Sequence, residues 1–312
     1  MIRKIFLLLV ICCLLLAGCG KPQRNKPEIS VTDSLGNTVS LPEKPQKVAV
    51  LFSSFAQIWQ LAGGEVAVTV GESVERGFVP EGTPLVDDGA GKSIDIERLL
   101  AEKPDLVIGS ADIPAQVMAC ETLAKQGVPV ALFRVDDFSQ YLTVLKTCAE
   151  ITGNEDAYET YGNQVKKNVD TVLSAKKGQS PKKILFIRAG STYAATKAKR
   201  APENFVCTML SQLGAVNIAD SASVLLDGLS LEEILLQDPD HIFLVAMGNE
   251  DAAKDYIGNL FESDGWKDLT AVKTGNYTFL DRELFHFKPN HRWAEAYKQL
   301  FNLLYPESDY EG

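Results

Sequence analysis

The stretches IDIERLLAEKPDLVIGS (residues 94–110) and LSLEEILLQDPDHIFLV (residues 229–245) align without a gap and lie 135 positions apart. Each copy leads from a helix-period segment through a Pro-Asp pair into a run of apolar, largely β-branched residues. A short apolar run bounded by turn residues is typical of a strand buried on both faces. Two copies at this distance predict two lobes of related fold, since a solenoid would need adjacent repeats.

Further apolar runs alternate with helix-period segments along the chain. They are KVAVLF (47–52), EVAVTV (65–70), VPVALF (128–133), KKILFI (182–187) and YTFL (277–280), besides the two strands of the repeat, DLVIGS (105–110) and HIFLVA (241–246). Such alternation predicts an α/β fold whose sheets are mainly parallel. Alternating residues around Leu35-Gly36-Asn37 instead predict a β-hairpin within residues 31–41.

One long helix separates the two halves of the chain. Asn154 is a good N-cap, acidic residues follow it in the first turn, and the helical pattern stops at Gly178. A helix over 154–177 would span roughly 33 Å at about 1.5 Å per residue. We therefore expect an N-terminal lobe over 29–153, this spine helix, and a C-terminal lobe over 178–312. A helical connector predicts little closure of the lobes, because it is not a flexible hinge.

The N-terminus has the features of a secretory signal. Basic residues precede an apolar run over 5–17 that is too short to span a membrane, and small residues come before Cys19. The LAGC sequence at 16–19 resembles a bacterial lipobox, which implies cleavage before Cys19 and lipidation of its thiol. The alternative is an ordinary secretory signal with a stray cysteine. We expect residues 1–18 to be a lipoprotein signal peptide and the polar residues 19–28 to form a tether.

Composition argues against several function classes. The formal net charge is −10 at pH 7, whereas nucleic-acid binding needs basic stripes. Cys120, Cys148 and Cys207 remain once the signal and Cys19 are set aside, and no CxxC occurs. This pattern favours isolated buried cysteines over a zinc motif or a disulfide framework.

The ordered series of motifs resembles the solute-binding proteins of ABC importers that carry iron-siderophores, haem and cobalamin. Besides the repeat, the resemblance includes VTDSLGNTVSLPEKPQKVAVL (31–51), MLSQLGAVNIAD (209–220), WKDLTAVKTGNYTFLD (266–281) and RWAEAYKQLFNLLYP (292–306). It implies two Rossmann-like lobes joined by the spine helix, a ligand cleft between them, and a permease dimer with its ATPase as partner. Together with the lipobox, it implies a lipid-anchored protein on the extracytoplasmic face of the cell membrane. It implies no cofactor, only a transported ligand, and no nucleic-acid partner.

Glu97 and Glu232 occupy the same position in the two copies of the repeat. The residues alone leave two interpretations open: surface glutamates that favour the helix dipole, or a matched pair with a function. Ser230 and Glu233 fit a capping box, so Glu232 is not needed for capping. In the resembling family a glutamate from each lobe docks on arginines of the permease, and the motif positions carry this role over to Glu97 and Glu232.

Ligands in this architecture bind where loops leave the carboxyl ends of parallel strands. In the N-terminal lobe this rule selects Ser53, Ser54, Phe55, residues 72–78, Asp112 and Arg134. In the C-terminal lobe it selects Arg188, Lys197, Arg200, Met247, Phe285, His286, Lys288 and Arg292. Cations and aromatic rings of this kind suit a bulky anionic complex.

The stretch FHFKPNHRW (285–293) holds two of the three histidines of the chain. We expect His286 to face the cleft, opposite the turn at Ser53, either as a polar contact to an anionic chelate or as a direct ligand to iron. His291 is expected to pack in the following helix, so the spacing does not predict a two-histidine metal site. His241 begins a buried strand and is expected to be structural.

The leading hypothesis is a lipoprotein that delivers an iron complex, a siderophore-type chelate, to an ABC importer. Haem or cobalamin is an alternative ligand in the same role; haem needs an axial ligand such as His286, and cobalamin an apolar cleft with little charge. A metal-cluster or chelatase-like enzyme on a related two-lobed fold is the alternative from another class. Such an enzyme needs a constellation of thiolates or histidines, which three scattered cysteines do not supply.

Overall fold

The computed structural model of the protein describes residues 29–87 and 93–308. The predicted signal peptide and the whole of the predicted tether, with Cys19, lie outside the described residues. The strands are β1 (Ile29–Thr32), β2 (Thr38–Leu41), β3 (Val48–Val50), β4 (Val66–Thr69), β5 (Leu106–Ser110), β6 (Val130–Phe133), β7 (Lys183–Ala189), β8 (Lys197–Ala198), β9 (Val216–Asn217), β10 (His241–Ala246) and β11 (Tyr277–Phe279).

Helices connect the strands within each half of the chain. In the N-terminal half they cover Ser53–Leu61, Gly71–Glu75, Ile96–Ala101, Pro114–Ala124 and Phe138–Thr152. The spine is α-helical over Glu155–Tyr158, π-helical over Glu159–Asn163 and α-helical again over Gln164–Ala175. In the C-terminal half they cover Phe205–Gln212, Val224–Asp227, Leu231–Gln237, Glu250–Glu262, Thr270–Lys273, Arg282–Phe285 and Trp293–Leu304, with 3-10 turns at Ala201–Glu203, Ile218–Asp220, Trp266–Asp268 and Asn290–Arg292.

Each lobe is built on its own sheet. In the N-terminal lobe the strand order is β4-β3-β5-β6, and all neighbours are parallel. In the C-terminal lobe the order is β11-β10-β7-β8, with β9 also beside β7; only β8 runs antiparallel to its neighbour. The predicted fold class, two α/β lobes with mainly parallel sheets, is confirmed. The sequence did not predict β8 and β9, which have only two residues each.

The aspartate of each Pro-Asp pair sets the start of a strand in both copies of the repeat. Asp105 Oδ1 accepts a hydrogen bond from Lys47 N at 2.9 Å, directly before β3. Asp240 Oδ2 accepts one from Lys183 N at 2.8 Å, at the first residue of β7. These carboxylates fix the level at which β5 lies beside β3 and β10 lies beside β7.

The two repeat helices, Ile96–Ala101 and Leu231–Gln237, are followed by the same chain reversal. Lys103 and its counterpart Asp238 both adopt left-handed backbone conformations, with φ of 52° and 41°. A residue other than glycine is disfavoured there. Asp238 gains compensating bonds, because its carboxylate accepts from the backbone N and the hydroxyl of Thr270 at 2.9 and 2.6 Å. These hydrogen bonds lower the pKa of Asp238.

The two repeat helices differ at their N-termini. In the first, the side chain of Asp95 accepts from Arg98 N at 2.9 Å and caps the helix. In the second, Ser230 forms no side-chain cap. The predicted capping box of Ser230 is therefore wrong: Glu233 Oε1 accepts instead from Gln237 Nε2, one turn further along the helix, at 2.9 Å.

The spine helix departs from a regular α-helix at the π-helical turn Glu159–Asn163. The hydroxyl of Tyr141 donates to the Tyr161 carbonyl O at 2.9 Å, so a backbone acceptor of this turn is satisfied from outside the helix. The side chain of Asn154 caps the N-terminus by accepting from Ala157 N at 3.3 Å. The helix is therefore a continuous connector with one local irregularity.

One hydrophobic core cluster extends through both lobes and the spine. It includes Val48 of the first sheet, Val169 of the spine and Trp293 of the last helix. The ring of Trp293 lies 5.8 Å from that of Phe138 in the N-terminal lobe and 5.6 Å from that of Phe205 in the C-terminal lobe. The lobes are thus joined by shared apolar burial as well as by the helix.

The predicted hairpin is formed by β1 and β2, which pair antiparallel. Asp33 Oδ1 accepts from Leu35 N at 2.9 Å and from Asn37 N at 2.8 Å, which holds the turn closed. Gly36 has a φ of 82°, a conformation that glycine adopts without steric cost.

The three cysteines of the described chain are buried and free, as predicted. Burial raises the pKa of Cys120 and of Cys148 to about 12 and also raises that of Cys207. These thiols are therefore packing groups rather than nucleophiles or metal ligands.

We expect Asp105→Ala to lower the free energy of unfolding by about 1–2 kcal/mol, because backbone donors at the start of β3 would lose their acceptor. Urea unfolding followed by circular dichroism measures this change. Asp170→Ala is the control, since Asp170 forms only an exposed ion pair with Lys166 on the spine and should change stability by less than about 0.5 kcal/mol. Equal effects of the two substitutions would contradict the role of Asp105.

Candidate ligand-binding site between the lobes

The two lobes contact each other through the segment that follows β11. This segment contains the helix Arg282–Phe285 and the stretch FHFKPNHRW. Asn290 is fully buried, and its Nδ2 donates to the Ser54 carbonyl O at 2.9 Å and to Gln57 Oε1 at 2.7 Å. The segment therefore holds the C-terminal lobe against the first helix of the N-terminal lobe.

A cavity of about 370 Å³ lies between the lobes. It is lined by Asp112 and Asp136 of the N-terminal lobe and by Arg188, Pro202, Glu203, Asn204, Phe205, Phe285, His286 and Lys288 of the C-terminal lobe. Larger hollows of about 490 and 510 Å³ lie against the spine helix, away from the strand ends. We take the interlobe cavity as the candidate site, because open α/β sheets bind ligands at the carboxyl ends of their strands.

His286 lies in this cavity near three arginines. Burial, followed by the positive charges of Arg282, Arg188 and Arg76, lowers the pKa of His286 to about 4. Its Nδ1 is buried and has no hydrogen-bond partner among the described residues. The imidazole is therefore neutral at physiological pH, and its Nδ1 is a buried polar atom that the described residues leave unsatisfied.

Arg188 is a partly buried cation near the end of β7. Its Nε and Nη2 lie 3.1 and 3.0 Å from the thioether sulfur of Met247, which is a weak acceptor. No ion pair joins Arg188 to a carboxylate in the part of the chain that the structure describes, and burial lowers its pKa. Its guanidinium thus retains hydrogen-bonding capacity for an anion.

Lys288 is a second cation at the cavity wall. Its ammonium lies 3.9 Å from Asp136 of the N-terminal lobe, a long ion pair, and 4.9 Å from the ring centroid of Phe205. Burial lowers the pKa of Lys288 and raises the pKa of Asp136, although each charge favours the other. The loss of water around both groups thus outweighs their weak mutual attraction.

Arg76 reaches this region from the N-terminal lobe. Its Nη2 forms an ion pair with Glu283 Oε2 of the C-terminal lobe at 3.0 Å. The carbon of its guanidinium lies 3.8 Å from the ring centroid of Phe287. Burial lowers the pKa of Arg76 despite the carboxylate partner.

The turn after β3 does not line the cavity in the expected way. Phe55 is only 2 % exposed, packs edge-to-face on Phe133 at 6.1 Å and is not among the residues that line this cavity, so its cleft role stays a prediction. Ser53 and Ser54 are also fully buried, and their hydroxyls accept from Arg76 Nη1 at 3.1 and 3.3 Å. A helix begins at Ser53 and turns these side chains into the lobe, where the serines position an arginine.

The model of the family described as "Periplasmic binding protein" matches residues 48–284. This chain belongs to the periplasmic binding protein family. The Bacillus subtilis "Uncharacterized ABC transporter substrate-binding lipoprotein YvrC" is 22% identical over 318 aligned residues, which cover 96% of each chain. The Bacillus subtilis "Iron(3+)-hydroxamate-binding protein FhuD" is 26% identical over 304 residues, which cover 90% of each chain.

Solved structures of other proteins share the fold of this periplasmic binding protein. Staphylococcus aureus SirA, solved as a complex with staphyloferrin B, superposes with a TM-score of 0.66 at 19% identity, covering 89% of this chain and 97% of SirA. The family places the chain among the extracytoplasmic substrate-binding proteins of ABC transporters, which bind and do not catalyse. The alternative of a metal-cluster or chelatase-like enzyme is therefore set aside.

Two similar proteins are themselves named as lipoproteins. Cys19, the expected lipidation site, precedes the first described residue, so its role stays a prediction. Among the helices that the structure describes, none combines the length and apolar character that crossing a bilayer requires.

Three of the predicted cleft arginines of this binding protein pair with nearby carboxylates: Arg134 with Asp112 at 2.5 Å, Arg200 with Glu203 at 3.3 Å, and Arg292 with Glu295 at 2.7 Å. Asp112 and Glu203 line the cavity, so the first two pairs lie near its rim. Arg292 instead pairs with Glu295 three positions along the chain and is not among the residues that line the cavity, so its contribution to the cleft stays a prediction.

The remaining predicted cleft residues lie beside Arg188. Met247 contacts it through sulfur, and Lys197 pairs with it across β7 and β8, on the same face of the sheet. Phe285 is 1% exposed but still contributes to the cavity wall.

The other two histidines serve packing. His291 lies in the 3-10 turn before the last helix rather than inside it, with its ring 6.0 Å from that of Tyr161 in the spine. His241 stacks on Phe243 at 4.2 Å and bonds the Thr278 hydroxyl at 3.0 Å. Within residues 29–87 and 93–308, no group of three or more His, Cys, Asp or Glu side chains could hold a metal ion.

Glu97 and Glu232 are both exposed, each in the first turn of its repeat helix. Their role in docking on the permease remains a prediction. Exposure on equivalent turns of two lobes is the placement that such a role requires.

Sequence reasoning did not single out the individual residues that join the lobes, namely Arg76, Glu283, Phe287 and Asn290. A usable signal existed for most of them. Arg76 lies in the selected range 72–78, and residues 282–283 directly follow the strand β11. The strand-end rule finds such positions, but it does not show which charges pair across the cleft.

We expect the His286 ring to titrate near pH 4 in two-dimensional NMR, well below its ordinary pKa of about 6.5. Since the unfolded chain binds this proton more readily, His286 should reduce stability as the pH falls from about 6.5 to about 4. Arg188→Gln should raise the His286 pKa by removing a nearby positive charge.

Arg292→Gln is the matched control, because Arg292 lowers the pKa of His291 instead. It should shift the titration of His291 and leave that of His286 in place. Titration of His286 near 6.5 in the unaltered protein would contradict the electrostatic description of the cavity.

Proposed function

We propose that this binding protein captures a negatively charged, siderophore-type ferric chelate and delivers it to an ABC permease. The observation that carries the proposal is the pair of cations in the cavity wall, Arg188 and Lys288, since two of the lining carboxylates, Asp112 and Glu203, already pair with Arg134 and Arg200. Arg188 has no carboxylate partner among the described residues, and Lys288 approaches Asp136 only to 3.9 Å. An anionic ligand would supply the opposite charge that these partly desolvated groups lack.

The similarity to FhuD supports a ferric complex as the ligand class, since that relative is named for iron(3+)-hydroxamate. Within this class, the incompletely paired cation Arg188 favours an anionic chelate over a neutral hydroxamate complex. A neutral hydroxamate complex would leave Arg188 without a counter-charge, whereas a carboxylate or catecholate complex would pair with it. The iron enters as part of the substrate, already held by the chelator.

The test is a fluorescence titration of the mature chain with three probes: ferric dicitrate, ferric enterobactin and ferrichrome. We expect at least one of the two anionic complexes to bind about tenfold or more tightly than the neutral ferrichrome, with affinity falling as salt is added. Arg188→Gln should weaken anionic binding by about tenfold or more. Arg98→Gln is the control, because Arg98 lies on an exposed repeat helix.

Tighter binding of ferrichrome than of both anionic complexes would contradict the charge argument. Equal losses in Arg188→Gln and Arg98→Gln would attribute the effect to net charge rather than to the cavity. Failure of every ferric probe to bind would remove the iron-chelate proposal itself.

Haem is a second candidate, favoured by the neutral His286 in the lining of the cavity. A neutral imidazole is the form that binds iron. Haem bound through His286 would give a Soret spectrum that changes in His286→Ala. An unchanged spectrum would exclude this ligation.

Delivery requires a membrane tether and a permease contact. We assign the tether to lipidated Cys19 and the contact to Glu97 and Glu232, whose carboxylates project from exposed helix turns. Basic residues of the permease would complement them, as charged interfaces steer and orient partners.

The double variant Glu97→Ala/Glu232→Ala should lower iron uptake by cells about tenfold or more, while ligand affinity of the purified protein changes less than about twofold. Glu121→Ala/Glu262→Ala removes the same charge from an exposed position in each lobe and serves as the control. Normal uptake by the first variant would return Glu97 and Glu232 to ordinary surface residues.

A further inference from the structure

Arg76 forms an ion pair that crosses from one lobe to the other. It follows the helix Gly71–Glu75 of the N-terminal lobe, and its Nη2 lies 3.0 Å from Glu283 Oε2 in the helix Arg282–Phe285 of the C-terminal lobe. The two side chains differ in exposure: that of Arg76 is 6% exposed, and that of Glu283 is 50% exposed. The pair thus joins a buried cation to a carboxylate that is open to solvent.

The guanidinium of Arg76 is held independently of Glu283. Its carbon lies 4.5 Å from the ring centroid of Phe78 and 3.8 Å from that of Phe287. Its Nη1 donates to the hydroxyls of Ser53 and Ser54. These contacts would keep the arginine in place if the carboxylate moved away, because neither rings nor hydroxyls depend on Glu283.

The donors of Arg76 are not all used. Its Nε is buried and has no hydrogen-bond partner among the described residues. An arginine can offer two parallel donors to one carboxylate, but Glu283 uses only Nη2. A buried cation with an unfilled donor is a position where a better-fitting anion gains binding energy.

We propose that Glu283 occupies the place of an anionic group of the ligand on Arg76 in the ligand-free protein, and that binding exchanges one anion for the other. This inference rests on the proposed function, since it needs an anionic ferric chelate. The exchange releases Glu283 to water, where it is already half exposed, and keeps Arg76 neutralised throughout. A neutral chelate cannot make the exchange, so Glu283 acts as a specificity-determining residue that discriminates against uncharged complexes.

The exchange also couples ligand binding to the contact between the lobes. In the ligand-free protein the Arg76–Glu283 pair links them directly. In the bound protein the ligand would replace that link, with Arg76 on one side and Arg188 on the other. The lobes can therefore stay close together in both states, as their shared core requires.

The test compares Glu283→Gln with Glu295→Gln in fluorescence titrations with ferric dicitrate, ferric enterobactin and ferrichrome. Glutamine keeps a hydrogen-bond acceptor for Arg76 but removes the competing charge, so the first variant should bind the anionic complexes about tenfold more tightly. Ferrichrome affinity should not change. Glu295 is the matched control, because it also pairs with an arginine and is 45% exposed, but its partner is the neighbouring Arg292 rather than an arginine of the other lobe.

Three results would overturn the exchange: no gain in Glu283→Gln, an equal gain for ferrichrome, or the same gain in Glu295→Gln. Each leaves the proposed function intact when the unaltered protein binds an anionic ferric complex. If no ferric probe binds any of the three proteins, the proposed function fails and the exchange fails with it. Arg76→Lys provides a second check: it keeps the charge but loses the planar donor pair, and should weaken anionic binding by about tenfold.

Discussion

The hydrogen bonds from the Pro-Asp aspartates to the neighbouring strands set the geometry on which the rest of the molecule depends. Asp105 and Asp240 each hold the first residues of two parallel strands at one level. Because these strands are parallel, the loops that follow them emerge along one edge of each sheet. Because both lobes use the same unit, the two edges face each other and enclose the interlobe cavity. The position of the site therefore depends on the Pro-Asp turn that each copy of the repeat contains.

The chemistry of the cavity follows from the burial of cations that are not all paired with a carboxylate at close range. Burial lowers the pKa of Arg76, Arg188 and Lys288, and it lowers that of His286 to about 4. Such an arrangement costs folding energy, and a protein built only for stability would replace or pair these groups. A binding protein gains from it, since the ligand completes the electrostatics that folding leaves incomplete. The family and the incompletely paired cations both favour an anionic ligand complex, whereas the neutral imidazole is what favours haem as the second candidate.

Rigidity is the second property that shapes this binding protein. The spine helix and the apolar core shared by both lobes predict little closure, so we expect recognition to rely on side chains. Arg76 and Glu283 are suited to this, because one is fixed by rings and hydroxyls while the other is half exposed. The proposed release of Glu283 from Arg76 can then accompany ligand binding without a large movement of the lobes.

The sequence by itself determined the architecture. Two lobes, parallel sheets, the hairpin and the helical connector follow from hydrophobic periodicity, turn residues and caps, which act over a few neighbouring positions. The repeat even placed Glu97 and Glu232 on equivalent helix turns. The strand-end rule also selected Arg188, His286 and Lys288 for the cavity.

Only the tertiary structure decided which charges are paired. Glu283 pairs with Arg76 across 207 positions of sequence, Glu295 pairs with Arg292, and Phe55 is buried in the core. Partner choice depends on where distant segments come together and on how much water they exclude, and neither quantity is written in the local order of residues.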